Sequence, residues 1–357
     1  MRELSVVIVN YNGRSTLLET IRSLQGQEGV RPHIVVVDDG SSDGSVEMVR
    51  AAFPEVRIHR EPRNTRQVNR LRNLGLNLAH TDRVFLTDND VVFEPDALLR
   101  LLEVMEVDDR VAICIPRLMY LEEPARVYQA GTRVHYCGAT EAMGRDRIAG
   151  QLENRPRVAI GGGIALIDRK KLWEVGGFDE GYELAWGDDG ELHQRFLLAG
   201  YLSMVVPAAV GYHEYKPFGR ARHYRASGQV YNRWRFITTH YAVRTLLVIA
   251  PALVLFEVVQ CGFFLMRGIP HLYLKGTWKA LRHLPQFVRR RREIQALREV
   301  ADRDVLSGGP LYVRPAGGGL GRLVAFGVRI VSRLLSYYWR LVRPLLAKRT
   351  VKIHVPT

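Results

Sequence analysis

The chain has 357 residues, 47% apolar and 25% charged, a composition that excludes a disordered or low-complexity protein and allows a sizeable core. Its formal net charge of +14 is unevenly placed: from residue 217 onward there are 25 Lys and Arg against five Asp and Glu, whereas the first 216 residues hold 26 against 32. An acidic globular part therefore carries a basic tail, and only the tail calls for a polyanionic partner.

The first apolar run stops at Asn10 with no longer one behind it, so it reads as a first strand and not a signal peptide, and the chemistry as cytosolic. "LSVVIVN", "PHIVVVD" and "DRVFLTD" are short apolar runs rich in β-branched residues, as expected of strands covered on both faces in a parallel sheet. Helical patterns at 15–25, 42–52 and about 67–79 alternate with them, which predicts an α/β fold. From about 117 to 160 short alternating stretches predict antiparallel strands or loops. Gly161, Gly162 and Gly163 precede a strand and a short helix, a helix is expected over 189–199, and a last strand near "SMVVP". The globular domain is expected to span 1–218, with 219–357 as a separate helical region. Cys114, Cys137 and Cys261 form no CxxC pair, which excludes a zinc ribbon or dithiol motif and reads as buried thiols in a reducing compartment.

In parallel α/β sheets ligands sit beyond the carboxyl ends of the strands. Here those ends are polar: Asn10, Tyr11 and Asn12; Asp38 and Asp39; Asp88, Asn89 and Asp90. Asp88 and Asp90 share a face if the strand continues, and their clustered charge calls for a cation or hydrogen-bond donors. Oxygen ligands suit Mg2+ or Mn2+. On spacing alone a solvated turn explains the pair more often, and "VVVDDGSSDGS" alone is a βα turn whose Ser42 or Asp43 caps the next helix.

"VVIVNYNG", "VVVDDGSSDGS", "FLTDND", "VGGFDE" and "WGDDGELHQRFLLAG", in this order, resemble the inverting nucleotide-sugar glycosyltransferases of family 2, which have the GT-A fold. The resemblance covers about residues 4–216. It implies a Rossmann-like, mostly parallel sheet with helices on both faces and a nucleotide-sugar donor. Asn10, Tyr11 and Asp39 would hold base and ribose, and Asp88 and Asp90 would bind the divalent cation, Mg2+ or Mn2+, on the diphosphate. Asp189 would be the general base, with Asp188 standing where many relatives have Glu and facing the donor together with Gly162. His213, in "VGYHEY", would complete the metal site or be structural. The segment 64–79 matches the family poorly, and Arg66 and Arg72 read as surface residues.

Residues 245–266, "TLLVIAPALVLFEVVQCGFFLM", are long enough to cross a bilayer but are interrupted by Pro251, Glu257 and Gln260. Arginines flank both sides, among them Arg233, Arg235 and Arg244, which favours a re-entrant or in-plane segment over a single crossing. Arg322, Arg329, Arg333 and Arg340 fall on one helical face beside Leu323, Val324, Ile330, Leu334 and Leu341. Tyr337, Tyr338 and Trp339 suit an interface, the pattern of a helix drawn into anionic headgroups. Arg289 to Arg292 would suit nucleic acid, but no nucleic-acid motif accompanies them. The expectation is thus a bacterial-type transferase of cell envelope polysaccharide biosynthesis, acting on a lipid-linked or polysaccharide acceptor at the cytoplasmic face of an anionic membrane, with no nucleic-acid partner and with homo-oligomerisation left open. A polyprenyl-phosphate sugar synthase is the alternative.

Overall fold

A computed structural model describes residues 1–184, 187–214, 221–309, 311 and 319–346, with the backbone alone at 141, 221–224 and 319–325. In chain order the elements are β1 (Arg2–Asn10), α1 (Leu17–Gln25), β2 (Val30–Asp38), α2 (Ser45–Ala52), β3 (Arg57–Arg60), α3 (Val68–Leu78), β4 (Arg83–Asp88), β5 (Val91–Phe93), α4 (Ala97–Met105) and β6 (Val111–Tyr120). Then follow β7 (Val127–Gln129), β8 (Thr132–Val134), β9 (Thr140–Ala142), β10 (Arg157–Val158), β11 (Ala165–Asp168), α5 (Arg169–Glu174), α6 (Gly190–Leu198) and β12 (Leu202–His213). The C-terminal helices are α7 (Ala221–His240), α8 (Val243–Met266), α9 (Pro270–Arg282), α10 (Leu284–Ala296), α11 (Asp302–Val305) and α12 (Gly319–Val342).

The main sheet runs β10-β12-β6-β11-β4-β1-β2-β3, with β5 added to β12 and β7 to β6. The β4-β1-β2-β3 part is parallel, and β11 is antiparallel to both of its neighbours. Successive residues of the central strands, such as Val6, Val7 and Ile8, are all buried because helices cover both faces. α1 and α4 share one core with Val6, Ile8 and Phe85, while α3, α5 and α6 share the other with Val7, Val37 and Leu86. Gly75 lets α3 lie close on β1: a Cβ there would fall 2.2 Å from Val7 Cγ1. This is the expected GT-A architecture. The expected last strand is longer than "SMVVP", reaching His213.

The C-terminal helices dock on this core. Tyr136, Cys137, Ile160 and Tyr182 pack with Phe236, Leu253, Leu335 and Trp339 in one cluster. Asp179 receives Arg235 Nη2 at 2.8 Å and Arg290 Nε at 3.5 Å, and Glu191 receives His240 Nε2 at 3.0 Å. The expected boundary at 218 lies outside the described residues.

Four readings of the tail change. Arg233 and Arg235 are buried and pair with Glu257 and Asp179, so they are not headgroup ligands flanking a membrane segment. α8 runs unbroken through Pro251, without the reversal of a re-entrant segment, and is long and apolar enough to cross a membrane by length and composition. Its costly Glu257 meets Arg233 of α7 and accepts a hydrogen bond from Tyr273 of α9. Trp339 is buried, stacked on Tyr136 at 4.8 Å, where the sequence suggested an interface. Cys261 is exposed, unlike Cys114 and Cys137. The side chains of Arg322, Leu323 and Val324 lie outside the described residues.

Candidate active site

β2 and β4 flank β1, in register Asn10 to Asp38 and Val9 to Asp88, so their polar ends meet at one edge. Asn10 is fully buried. Its amide nitrogen donates to Asp38 Oδ1 at 2.6 Å, and its oxygen accepts from Asn89 Nδ2 at 2.6 Å. The Asn10 side chain thus ties the neighbouring strand ends together, and Tyr11 stands 48% exposed at the edge. Asp39 is buried at the same edge, where Oδ1 accepts from the Thr65 backbone and hydroxyl at 2.8 Å and Oδ2 from Arg66 N at 3.1 Å.

Asp88, Asp90 and His213 each offer a ligand atom, and these atoms lie within 4.8 Å of one another. The distant His213 arrives through the antiparallel pairing of β12 with β5, which sets it opposite Val91, and Glu214 N donates to Asp90 O. His213 Nδ1 lies 2.8 Å from the Glu214 carbonyl, which can only accept, so Nδ1 carries a hydrogen and Nε2 is the nitrogen that faces Asp90 Oδ1, at 3.7 Å. Two carboxylates and an imidazole nitrogen converging on one point fit a divalent cation. The ring is stacked on Tyr128 at 4.6 Å, which holds its plane.

Beside this cluster Arg72, only 4% exposed, lies between two carboxylates: Nη1 is 3.3 Å from Asp188 Oδ2 and Nη2 is 3.9 Å from Asp88 Oδ1. The surface reading of Arg72 is therefore corrected, whereas Arg66 is exposed. Arg72 also donates to Asn69 Oδ1, lies over the Phe178 ring, and leaves no room for a side chain at Gly163, where a Cβ would be 2.2 Å from its Nη2. Asn69 donates to the carbonyls of Asp179 and Asp188 and so holds the loop before α6.

Asp189 caps α6: Oδ1 accepts from Gly190 N at 2.7 Å and Oδ2 from Gly163 N at 3.0 Å. Gly162 lies against it, since a Cβ there would be 3.2 Å from Asp189 Oδ2. Asp188 is buried; burial first, then the charge of Asp189, push its carboxyl up to about 7 against the pull of Arg72. His193 donates from Nε2 to the Gly162 carbonyl at 3.1 Å and so steadies the glycine run; burial pulls its pKa down to about 4. Burial opposes the charge of Glu191, yet Arg195 and His240 hold its carboxyl below the usual range.

The model of glycosyl transferase family 2 matches residues 5–176. Those residues are a family 2 glycosyltransferase domain. Escherichia coli chondroitin synthase is 27% identical over 252 residues, 63% of this chain and 37% of that protein. The succinoglycan biosynthesis protein ExoO of Rhizobium meliloti is 35% identical over 102 residues, 28% of this chain and 29% of that one. The chain thus spans about a third of the length of these curated relatives. The crystal structure of GalNAc-T7 with UDP, GalNAc and Mn2+ superposes with a TM-score of 0.56 at 18% identity, over 71% of this chain and 51% of its own, a likeness of fold. Asp188, Asp189 and His213 lie beyond the span that the family 2 model matches, and Arg72, Gly163 and Asp90 tie them to it.

Sequence reasoning missed Arg72, Asn69, Asn89 and His193 in the neighbourhood of this site. Asn89 was visible between the two carboxylates. Nothing local distinguishes the other three from ordinary helix residues.

Proposed function

We propose that the chain is a metal-dependent inverting glycosyltransferase that moves a sugar from a nucleotide-sugar donor to a hydroxyl of a lipid-linked glycan at the cytoplasmic face of the membrane, in the assembly of a cell envelope polysaccharide. The observation that carries this reading is the meeting of Asp88, Asp90 and His213 at the strand ends, one guanidinium away from Asp188. These three would hold a Mg2+ or Mn2+ ion, the imidazole favouring Mn2+, and the ion would offset charge on the leaving diphosphate.

Asp189 takes the proton of the acceptor hydroxyl as the new bond to the anomeric carbon forms. The bond to the diphosphate oxygen breaks with its electron pair on that oxygen. The backbone N–H groups of Gly163 and Gly190 orient the base and leave lone pairs for the hydroxyl. Tyr11 offers a ring face to the nucleotide base, Asp39 stands next to it at the edge, and Arg72 adds a fixed positive charge beside the donor.

Membrane contact is supported by exposed apolar side chains on three helices, Leu247, Val254 and Val258 of α8, Trp278 of α9, and Phe326, Ile330 and Leu334 of α12. Exposed Arg329, Arg333 and Arg340 border the α12 stripe, as anionic headgroups require.

Thermal unfolding with a panel of nucleoside diphosphates and Mn2+ tests the reading. At least one nucleotide is expected to stabilise the wild type, by about 2.7 kcal/mol at a hundredfold excess over Kd, and Asp90→Ala to abolish the effect. No shift with any nucleotide, or a metal-dependent shift that survives Asp90→Ala, sinks the proposal.

A further inference from the structure

A cavity of about 180 Å³ lies between the α/β core and the C-terminal helices. Gly187 and Gly190, on either side of Asp188 and Asp189, form part of its wall. Opposite them stand Phe236 of α7 and Phe256 of α8. The cavity therefore begins where the catalytic loop ends, and its far wall is the apolar helix.

The lining is specific in its chemistry. Tyr182, Phe236 and Phe256 contribute aromatic rings. Between them Tyr182 Oη, Thr140 Oγ1 and Gln260 Oε1 are buried without a hydrogen-bond partner among the described residues, and Tyr182 is only 7% exposed. Each such atom is destabilising unless an occupant pairs with it. Both charged groups of the wall are already paired: Arg233 meets Glu257, which accepts from Tyr273, and Glu191 meets Arg195. Aromatic rings, hydroxyl-pairing atoms and charges already paired describe a neutral sugar ring, not a phosphate. The volume agrees, because an apolar cavity of about 150 Å³ admits a benzene ring.

We propose that this cavity receives the terminal pyranose of the acceptor, its attacking hydroxyl toward Asp189 and its carrier leaving along α8. The inference rests on the transfer reaction proposed above, and it names the acceptor class as a neutral glycoside on an apolar carrier.

The test uses the full chain with photoreactive octyl pyranosides, in gluco, galacto, manno and 2-acetamido forms with a diazirine on the aglycone, and maps the cross-linked peptides by mass spectrometry. At least one probe is expected to label residues 134–140 or 229–260 facing the cavity. Phe256→Trp, which overfills the cavity, is expected to reduce that labelling about tenfold. Tyr182→Phe, which removes one oxygen and keeps the packing, is expected to reduce it several-fold. Labelling confined to the outer faces of α8 and α12, labelling by no probe, or labelling indifferent to both substitutions overturns the proposal. The Mn2+-dependent nucleotide shift is measured on the same samples: its presence with cavity labelling absent defeats this inference alone, and its absence in the wild type defeats the transfer reading.

Discussion

Asn89 donates its side-chain amide to Asn10 Oδ1 at 2.6 Å, and Asn10 donates onward to Asp38 at 2.6 Å, so one relay ties together the ends of β4, β1 and β2. Asn89, the residue that a pair of alternating carboxylates leaves unexplained, is thus what holds the carboxylate-bearing turn against the first strand. Gly13 makes the room: a Cβ there would lie 2.2 Å from Asn89 Nδ2 and 2.3 Å from Asn10 Oδ1. Asn89→Ala is expected to cost about 1–3 kcal/mol by leaving a buried acceptor unpaired. Gly13→Ala attacks the same bond by displacement, so the two losses should fall short of adding in the double variant. Urea denaturation of the three variants measures this, and full additivity would count against the relay.

Asp189→Asn keeps an oxygen for the α6 cap but loses the base. Transfer to a hydroxyl acceptor is expected to fall by about 10²–10⁴ in kcat, with the nucleotide shift in thermal unfolding retained. Activity largely spared would favour a lipid phosphate acceptor, which needs no strong base.

Asp188 is expected to make stability depend on pH. Its carboxyl rises from the ordinary 3.8 to about 7, so between these values the folded chain holds a proton that the unfolded chain has released. The stability this contributes is complete below about pH 4 and is lost as pH rises through 7. Relative to Asp188→Asn, the metal-free wild type should therefore lose up to about 4 kcal/mol between pH 4 and pH 8. Paired denaturation curves at the two pH values measure the difference, and a wild type that gains on the variant as pH rises contradicts the assignment.

Charge reversal of Arg329, Arg333 and Arg340 is expected to release the protein from anionic vesicles. At about 1 kcal/mol for each cation near the surface, simple removal of the three weakens binding roughly a hundredfold, and reversal weakens it more. Flotation with phosphatidylserine-rich against phosphatidylcholine vesicles reads this out. Equal binding of wild type and variant to both would remove headgroup attraction from the account.

The α/β fold was legible because its strands are buried on both faces and read as unbroken apolar runs, Val6 to Ile8 or Val84 to Leu86, between amphipathic helices. The strand-end residues were legible for the same reason, since polar residues stop those runs. His213 was harder, for only the pairing of β12 with β5 brings it beside Asp90. Arg72 was misread because one arginine on an amphipathic helix looks like any other until Asp188 and Asp88 are seen around it. Arg233 and Glu257 were read separately, one as a membrane flank and the other as a liability, because their pairing depends on how α7 packs against α8.

Asp179, in the N-terminal half, draws its counter-charges from the C-terminal helices. Asp179, 8% exposed, is satisfied by Arg235 and Arg290, whereas Glu191 is neutralised by Arg195 of its own helix and only contacted by His240, whose burial favours the neutral imidazole. A chain ending before α7 would strand Asp179 without cations, at a cost of about 3–5 kcal/mol for one broken buried pair. The N-terminal half is therefore not an interchangeable cassette. Replacing the C-terminal helices means solving the neutrality of Asp179 again, so the two halves are bound to be inherited together.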